Sequence, residues 1–317
     1  MRVPSVLYAP SVPEGDTINR TAVALRTALA GRPTEQFLAD RHIGPHPSPG
    51  NVVEEVRSRG KHLEIQWEDG LILHTHMRMS GSWHLYHAGE RWRKPQRNAV
   101  VVLEVPDWVA VCFNAPVVET YQSLDRRRHP GFGGLGPDLC DPRSDLRECV
   151  RAILRYPEPE RAVADVLLDQ RVLCGVGNVY RCEVLWACQL SPFARVGDLS
   201  REDAADVVRS AARMLRDNLN GHERVTAPEV PGGLAVYGRN GKRCPRCRGT
   251  IEVRRFGEHA RLLYFCPECQ HRLDRRVSRA VSVEDGERPA DPHPAAVLFL
   301  AEARAARGRR QGEIAFG

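Results

Sequence analysis

Near its N-terminus the chain reads Val12-Pro13-Glu14-Gly15-Asp16-Thr17, a proline beside a carboxylate. A proline at the head of a chain carries a secondary amine, a nucleophile of the kind that forms imines at carbonyl carbons. A neighbouring carboxylate can move the protons such a step requires. An internal proline nitrogen is an amide and has no lone pair to offer. Pro13 is internal as written, so the pair is competent only in a chain that starts at Pro13. Val12 offers a route, because a GTG valine codon also serves bacteria as an initiator read as methionine. A methionine before proline is normally trimmed. The expectation is a working chain that begins at Pro13; with residues 1–12 retained, Pro13 is inert and the protein only binds its target.

A second constellation is Cys244-Pro245-Arg246-Cys247, followed eighteen residues later by Cys266-Pro267-Glu268-Cys269. Two CxxC knuckles at this spacing suit a tetrahedral zinc site with four thiolates. Four protein ligands leave no open position for water, so one structural Zn²⁺ per chain is expected, stapling a unit too small for a core of its own. Between the knuckles, "IEVRRF" and "ARLLYF" flank Gly257-Glu258 and predict a β-hairpin. Its Arg254, Arg255 and Arg261, with Tyr264 and Phe265, mix cations and aromatics as nucleic-acid surfaces do. Each of those arginines is equally compatible with a solvated charged face.

Residues 169–186, "DQRVLCGVGNVYRCEVLW", predict a helix ending near Leu173, a turn with Gly175 and Gly177, and a new helix from Asn178. Glycines let a backbone approach a phosphate, and free N–H groups at a helix start attract anions. An ordinary helical corner with Asn178 as its cap has the same spacing. Lys61 opens a strand and is one of only three lysines, with Lys94 and Lys242. His74 and His76 alternate onto one strand face, with no third ligand in view for a metal. Met79 precedes Ser80-Gly81 at a strand end; a methionine is usually core, but at an exposed tip it can wedge between bases.

These groups need a scaffold. Residues 14–30 place Ile18, Ala22, Leu25 and Leu29 at helical spacing, with Asp16 as N-cap and Gly31 and Pro33 as the stop. From 34 to 121 the runs "HLEIQW", "LILHTHM", "AVVVLEV" and "VAVCF" are strands in the rhythm of a sandwich or barrel. Residues 125–142, rich in Gly, Pro and Arg, read as a connector between domains. Helices are predicted over 161–173, 178–189 and 201–219. The fold class is therefore α+β and multidomain: 12–124 a β-rich lobe with a leading helix, 125–142 a linker, 143–228 a helical lobe, 236–271 the cysteine hairpin. The tail 272–317 is expected to be disordered or partly helical.

At 317 residues the chain has room for about two domains. Its net charge of +6 is too modest to argue for nucleic acid by itself. No apolar run reaches the ~20 residues of a membrane span, and no secretion signal is evident. A reducing cytoplasm is expected, with the ten cysteines as thiols or metal ligands rather than disulfides.

Taken in order, "PEGDT", "RGKHL", "HMRMSGSW", "DQRVLCGVGNVYRCEVLW", "VYGRNGKRCPRC" and "CPECQ" resemble the formamidopyrimidine-DNA glycosylase / endonuclease VIII family, over roughly residues 12–271. "PEGDT" and "FNAPVVE" look more like the endonuclease VIII branch and its actinobacterial-type members. The resemblance implies an N-terminal β-sandwich with a leading helix, a helix–two-turn–helix domain and a zinc finger. It implies a monomer at the nucleoid that binds double-stranded DNA carrying a damaged base, oxidised pyrimidines foremost, or an abasic site. The damaged base is flipped out of the stack. The proline amine attacks the sugar C1′, the base leaves, and the resulting Schiff base breaks the strand by β,δ-elimination.

Carried over by position, the resemblance makes Pro13 the nucleophile, Glu14 the acid/base and Lys61 the lysine against the phosphate beside the lesion. It makes His76, Asn178 and Arg261 phosphate contacts, Met79 the residue that fills the void, and Cys244, Cys247, Cys266 and Cys269 the zinc ligands. Three departures stand out. "FNAPVVETYQ" lacks the arginine with which the formamidopyrimidine branch reads the opposite base. Thr17 stands where relatives often have a glutamate, and the tail after 272 has no counterpart. A non-catalytic damaged-DNA binder is the alternative if Pro13 stays internal; a zinc-ribbon factor would leave 12–190 unexplained.

Overall fold

The computed structural model describes residues 12–39, 42–125, 134–221 and 223–273. The first eleven residues, the Arg-bearing part of the predicted linker (126–133) and nearly all of the predicted tail (274–317) lie outside the described residues.

The first lobe is a helix on a two-sheet sandwich. Helix α1 (Gly15–Leu29) precedes β1 (Gln36–Leu38), β2 (Val53–Arg59), β3 (His62–Trp67), β4 (Leu71–His76), β5 (Ser82–His87), β6 (Ala99–Val105), β7 (Trp108–Phe113) and β8 (Val117–Gln122). The antiparallel orders are β1-β6-β7-β5 and β2-β3-β4-β8. Alternation explains the core: Leu63, Ile65 and Trp67 of β3 face inward, with Val56, Leu73, Trp83, Leu85, Leu103 and Ala110 from the other strands. Ile18, Ala22, Leu25 and Leu29 of α1 close it. The opposite face of β3 and β4 is polar, and the register pairs His62 with His76, Glu64 with His74, and His74 with Glu119.

The second lobe is helical: α2 (Leu146–Leu154), α3 (Val163–Val166), α4 (Asn178–Ala187) and α5 (Arg201–Asp217). The hairpin of β9 (Glu252–Phe256) and β10 (Arg261–Phe265) follows. The finger shares the helical core, since Cys244, Ile251, Leu263, Phe265, Cys266 and Cys269 pack in one cluster with Leu185, Trp186 and Leu215. Among the described residues no helix is long and apolar enough to cross a membrane.

Helix α5 is where periodicity and capping agree, with Ser200 and Asp203 forming a reciprocal capping box. Two local expectations are corrected. The helix predicted over 161–173 is a single turn at Val163–Val166. Asp169 turns its carboxylate onto the N–H of Arg171, and Gln170 bonds Leu168 O, Val176 O and Gly175 N, so side chains take the backbone groups a longer helix would use. Asp16 does not cap α1, whose N-cap position is Glu14, with no side-chain cap bond. Helix α2 lies in a charged segment outside the predicted helices, and Asp145 caps it by accepting from the N–H of Arg147.

Candidate active site and nucleic-acid interface

Glu14 is buried, and its carboxylate leaves its own helix to cap another. It accepts from the N–H groups of Gly177 at 3.0 Å, Val179 at 2.7 Å and Tyr180 at 3.3 Å. These are the orphan donors at the start of α4, where the helix dipole also favours a negative group. A side chain at Gly177 is sterically barred, because a Cβ there would lie 2.3 Å from the Glu14 carboxyl carbon. Alongside, the Gly15 N–H donates to Gly175 O at 2.9 Å. The two lobes thus close glycine to glycine around the half-buried Pro13 and the buried Glu14. Asn178 is the first residue of α4, preceded by its cap position Gly177, so the capping role read from sequence belongs to Glu14.

Lys61 follows Gly60 in the β2–β3 turn. Gly60 has φ +56°, and its N–H donates to Asp138 at 2.8 Å; a Cβ there would approach the Cys174 sulfur to 2.3 Å. That contact seats the lysine against the helical lobe. Burial lowers the Lys61 pKa to about 8; Glu14 opposes the drop, while Arg261 and Arg224 add to it. Among the described residues, no hydrogen bond or ion pair engages its amine. A half-buried cation held near carboxylate and guanidinium groups is poised for an incoming anion.

The two strand histidines part company. The buried His74 bridges Glu119, 2.7 Å from Nδ1, and His62, 2.9 Å from Nε2. Its ring nitrogens are therefore engaged inside the sheet, away from any metal. His76 ends β4 with Nδ1 accepting from the N–H of Arg78 at 3.1 Å, which puts the proton of the neutral ring on Nε2. Burial, then the nearby Lys61 charge, lowers its pKa to about 4. His76 is thus a neutral hydrogen-bond donor at ordinary pH and adds no charge.

Met79 is 76% exposed in the turn after β4. Arg78 there has φ +43°, and the Gly81 N–H donates to Met77 O, closing the tip. Asn178 Nδ2 donates to Leu262 O at 2.8 Å, and its Oδ1 accepts from Arg181, tying α4 to β10. Arg261 is exposed at the first position of β10, paired with Phe256. Glu14, Lys61, Asn178 and Arg261 thus gather from four separate segments.

Sequence reasoning missed two buried charges. Glu183 on α4 accepts from Thr226 Oγ1 and from the N–H groups of Ala235, Val236 and Tyr237, and so shapes the loop between α5 and the finger. A carboxylate inside the apolar run "VYRCEVLWA" was the available signal. Arg224, from the same loop, forms a buried pair with Asp16; nothing local in the sequence marks it.

The four finger cysteines place their sulfurs within 4.8 Å of one another, with Cys244–Cys269 at 3.8 Å and Cys247–Cys266 at 3.4 Å. Tetrahedral coordination at ~2.3 Å per Zn–S bond sets sulfur edges of about 3.8 Å, so the donor set fits zinc.

Comparison with known proteins agrees with this geometry. Residues 10–116 match the formamidopyrimidine-DNA glycosylase N-terminal domain, 135–228 its H2TH domain, and 241–272 the zinc finger found in FPG and IleRS. The chain is 36% identical over 264 residues to the probable endonuclease 8 2 of Streptomyces coelicolor, covering 82% of this chain and 94% of that protein. It is 38% identical over 265 residues to the DNA-(apurinic or apyrimidinic site) lyase Nei2 of Mycolicibacterium smegmatis, covering 82% and 99%. The crystal structure of MutM (Fpg) from Thermus thermophilus superposes with a TM-score of 0.67 at 27% identity, over 81% of this chain and 98% of that one. With its three domains in family order and relatives matched nearly end to end, this chain belongs to the formamidopyrimidine-DNA glycosylase / endonuclease 8 family of DNA glycosylases and AP lyases.

Proposed function

We propose that the protein is a bifunctional glycosylase/AP lyase for double-stranded DNA, removing oxidised bases, pyrimidines foremost, with Pro13 as nucleophile once it is the first residue. The observation that carries this reading is Glu14, adjoining Pro13 in the chain and held rigid by three N–H donors, with the Lys61 amine nearby. In this reading the Pro13 amine bonds to C1′ and the base departs with the glycosidic electron pair, taking up a proton. The amine proton is lost, and as the C1′–O4′ bond breaks, its electron pair leaves with O4′, which takes up a proton, while the nitrogen lone pair closes the iminium at C1′. Glu14 assists opening of the sugar ring and moves protons. Loss of a C2′ proton then expels the 3′ phosphate, and a second elimination expels the 5′ phosphate. Lys61, His76, Asn178 and Arg261 hold the backbone, and Met79 fills the space of the flipped base. Cys244, Cys247, Cys266 and Cys269 would hold one zinc ion, which supplies a staple for the finger and no reactive position. The relatives in Streptomyces and Mycolicibacterium support the branch assignment.

Borohydride trapping on duplexes with an abasic site or an oxidised pyrimidine tests this directly. A chain beginning at Pro13 should trap covalently; the chain from Met1, tested uncleaved as intact mass verifies, should bind without trapping. Equal trapping by an uncleaved Met1 chain would put the nucleophile elsewhere, and no trapping by the Pro13 chain would leave a binder.

The Lys61 shift predicts a pH effect on affinity. A phosphate prefers the ammonium, so binding raises the Lys61 pKa above its free value of about 8. Affinity for an uncleavable abasic-site duplex should hold constant well below that pH and fall as pH rises through it. Lys61→Met should flatten this profile in fluorescence anisotropy and cut the salt slope by about 1. His76→Ala should weaken binding with little change in slope, because the ring is already neutral.

A further inference from the structure

Arg224 is a buried cation that the reading above does not use. It leaves the loop after α5 and reaches the first turn of α1. Nε and Nη2 donate to Asp16 at 3.1 and 2.6 Å, and Nη2 also to Thr17 Oγ1 at 3.0 Å and to the Val12 carbonyl at 3.3 Å. The guanidinium lies 5.0 Å from the centre of the Tyr180 ring. The Arg224 and Asp16 side chains are only 4% and 0% exposed.

Burying such a pair is weak evidence for a stabilising role, because desolvation consumes most of the attraction. Asp16 also has a second cation, Arg20, at 3.5 Å. What sets Arg224 apart is the atom it reaches: the Val12 carbonyl belongs to the peptide bond whose nitrogen is that of Pro13. When Pro13 is the first residue, that carbonyl is gone and the guanidinium is left beside the amine. Arginine keeps its charge and accepts no hydrogen bond, so it can neither take a proton from the amine nor stabilise an ammonium.

We propose that Arg224 is a positioning residue for the Pro13 amine, anchoring the first turn of α1 and keeping the amine unprotonated through its fixed charge. The proposal rests on the reading that Pro13 is the N-terminal nucleophile.

Cations outnumber carboxylates around the amine. From α1 come Glu14, Asp16 and Arg20; from the β2–β3 turn, Lys61; from α4, Tyr180; from β10, Arg261; from the loop, Arg224. Burial raises the pKa of the Tyr180 phenol and keeps it neutral. Asp16 is offset by Arg20 and Arg224, and Glu14 by the N–H groups starting α4. Against the two carboxylates stand four cations, Arg20, Lys61, Arg224 and Arg261; of these the Arg224 guanidinium is the one bonded to the Val12 carbonyl, and it acts on Lys61 in the same sense. The loop itself is tethered, with the Val225 N–H donating to Asn218 at 2.7 Å and Thr226 to Glu183. Docking of that loop therefore carries the charge into place.

The test uses a chain beginning at Pro13 and single-turnover trapping on an abasic-site duplex across pH. Arg224→Gln should move the acid limb of the rate profile up by about one pH unit, a tenfold loss below it that vanishes at alkaline pH. Arg224→Lys, which keeps the charge without the bidentate fork, should leave the limb in place while lowering the rate at every pH. Should Arg224→Gln fail to fold, Asp16→Asn serves: removing a negative charge should move the limb down, opposite to any loss of packing. A limb that stays put in whichever of these two variants folds overturns the proposal. Wild type that fails to trap at any pH would instead sink the proline mechanism itself.

Discussion

In a chain that starts at Pro13, Glu14→Gln should lower base excision by ~10²–10⁴-fold, the range for a missing general acid–base group. The same substitution should also destabilise the fold. The Glu14 carboxylate accepts three N–H groups at the start of α4. Glutamine offers one acceptor oxygen, and its NH₂ would face donors. Hydrogen bonds to a charged group contribute about 1.5–3 kcal/mol each, so a drop in melting temperature accompanies the loss of rate. Excision assayed well below that melting temperature separates the two effects. Near-normal excision by folded Glu14→Gln would remove Glu14 from proton transfer and leave it a helix cap alone.

Cys247→Ser, or exhaustive chelation, should reduce DNA binding by more than about a hundredfold and leave the sandwich lobe folded. Structural zinc sites contribute ~10–16 kcal/mol to folding, far more than a two-stranded hairpin can supply. Three of the four thiols are buried in the core shared by α4 and α5, so loss of the metal disturbs that packing as well as the finger. Arg261 leaves with the hairpin, and Asn178 loses Leu262 O, its anchor on β10. The sandwich has its own core, built from both sheets and α1. Native protein should contain one zinc per chain by elemental analysis, and limited proteolysis of the metal-free form should spare the N-terminal lobe. Metal-free protein with full binding would contradict this account.

Much of this molecule was legible because its signals are local. The CxxC knuckles announce a hairpin, since tetrahedral sulfur geometry constrains few residues at short range. The alternating run "HLEIQW" and the β-branched apolar run "AVVVLEV" announce strands, and the spacing of Val207, Val208, Ala211 and Leu215 announces α5, because residue type follows the local backbone geometry. Gly175 and Gly177 mark a close approach, though not what approaches. Tertiary structure alone decided the partners. Asp16 reads as a cap for its own helix yet is claimed by Arg224, 208 residues away in sequence. His74 and His76 look like twins until the sheet register sends one to Glu119 and leaves the other at the strand end. Above all, whether a carboxylate beside Pro13 meets water, its own helix or a foreign one depends on lobe packing. Glu14 meets α4, 163 residues on, because only a folded chain can bring unfilled N–H groups to it.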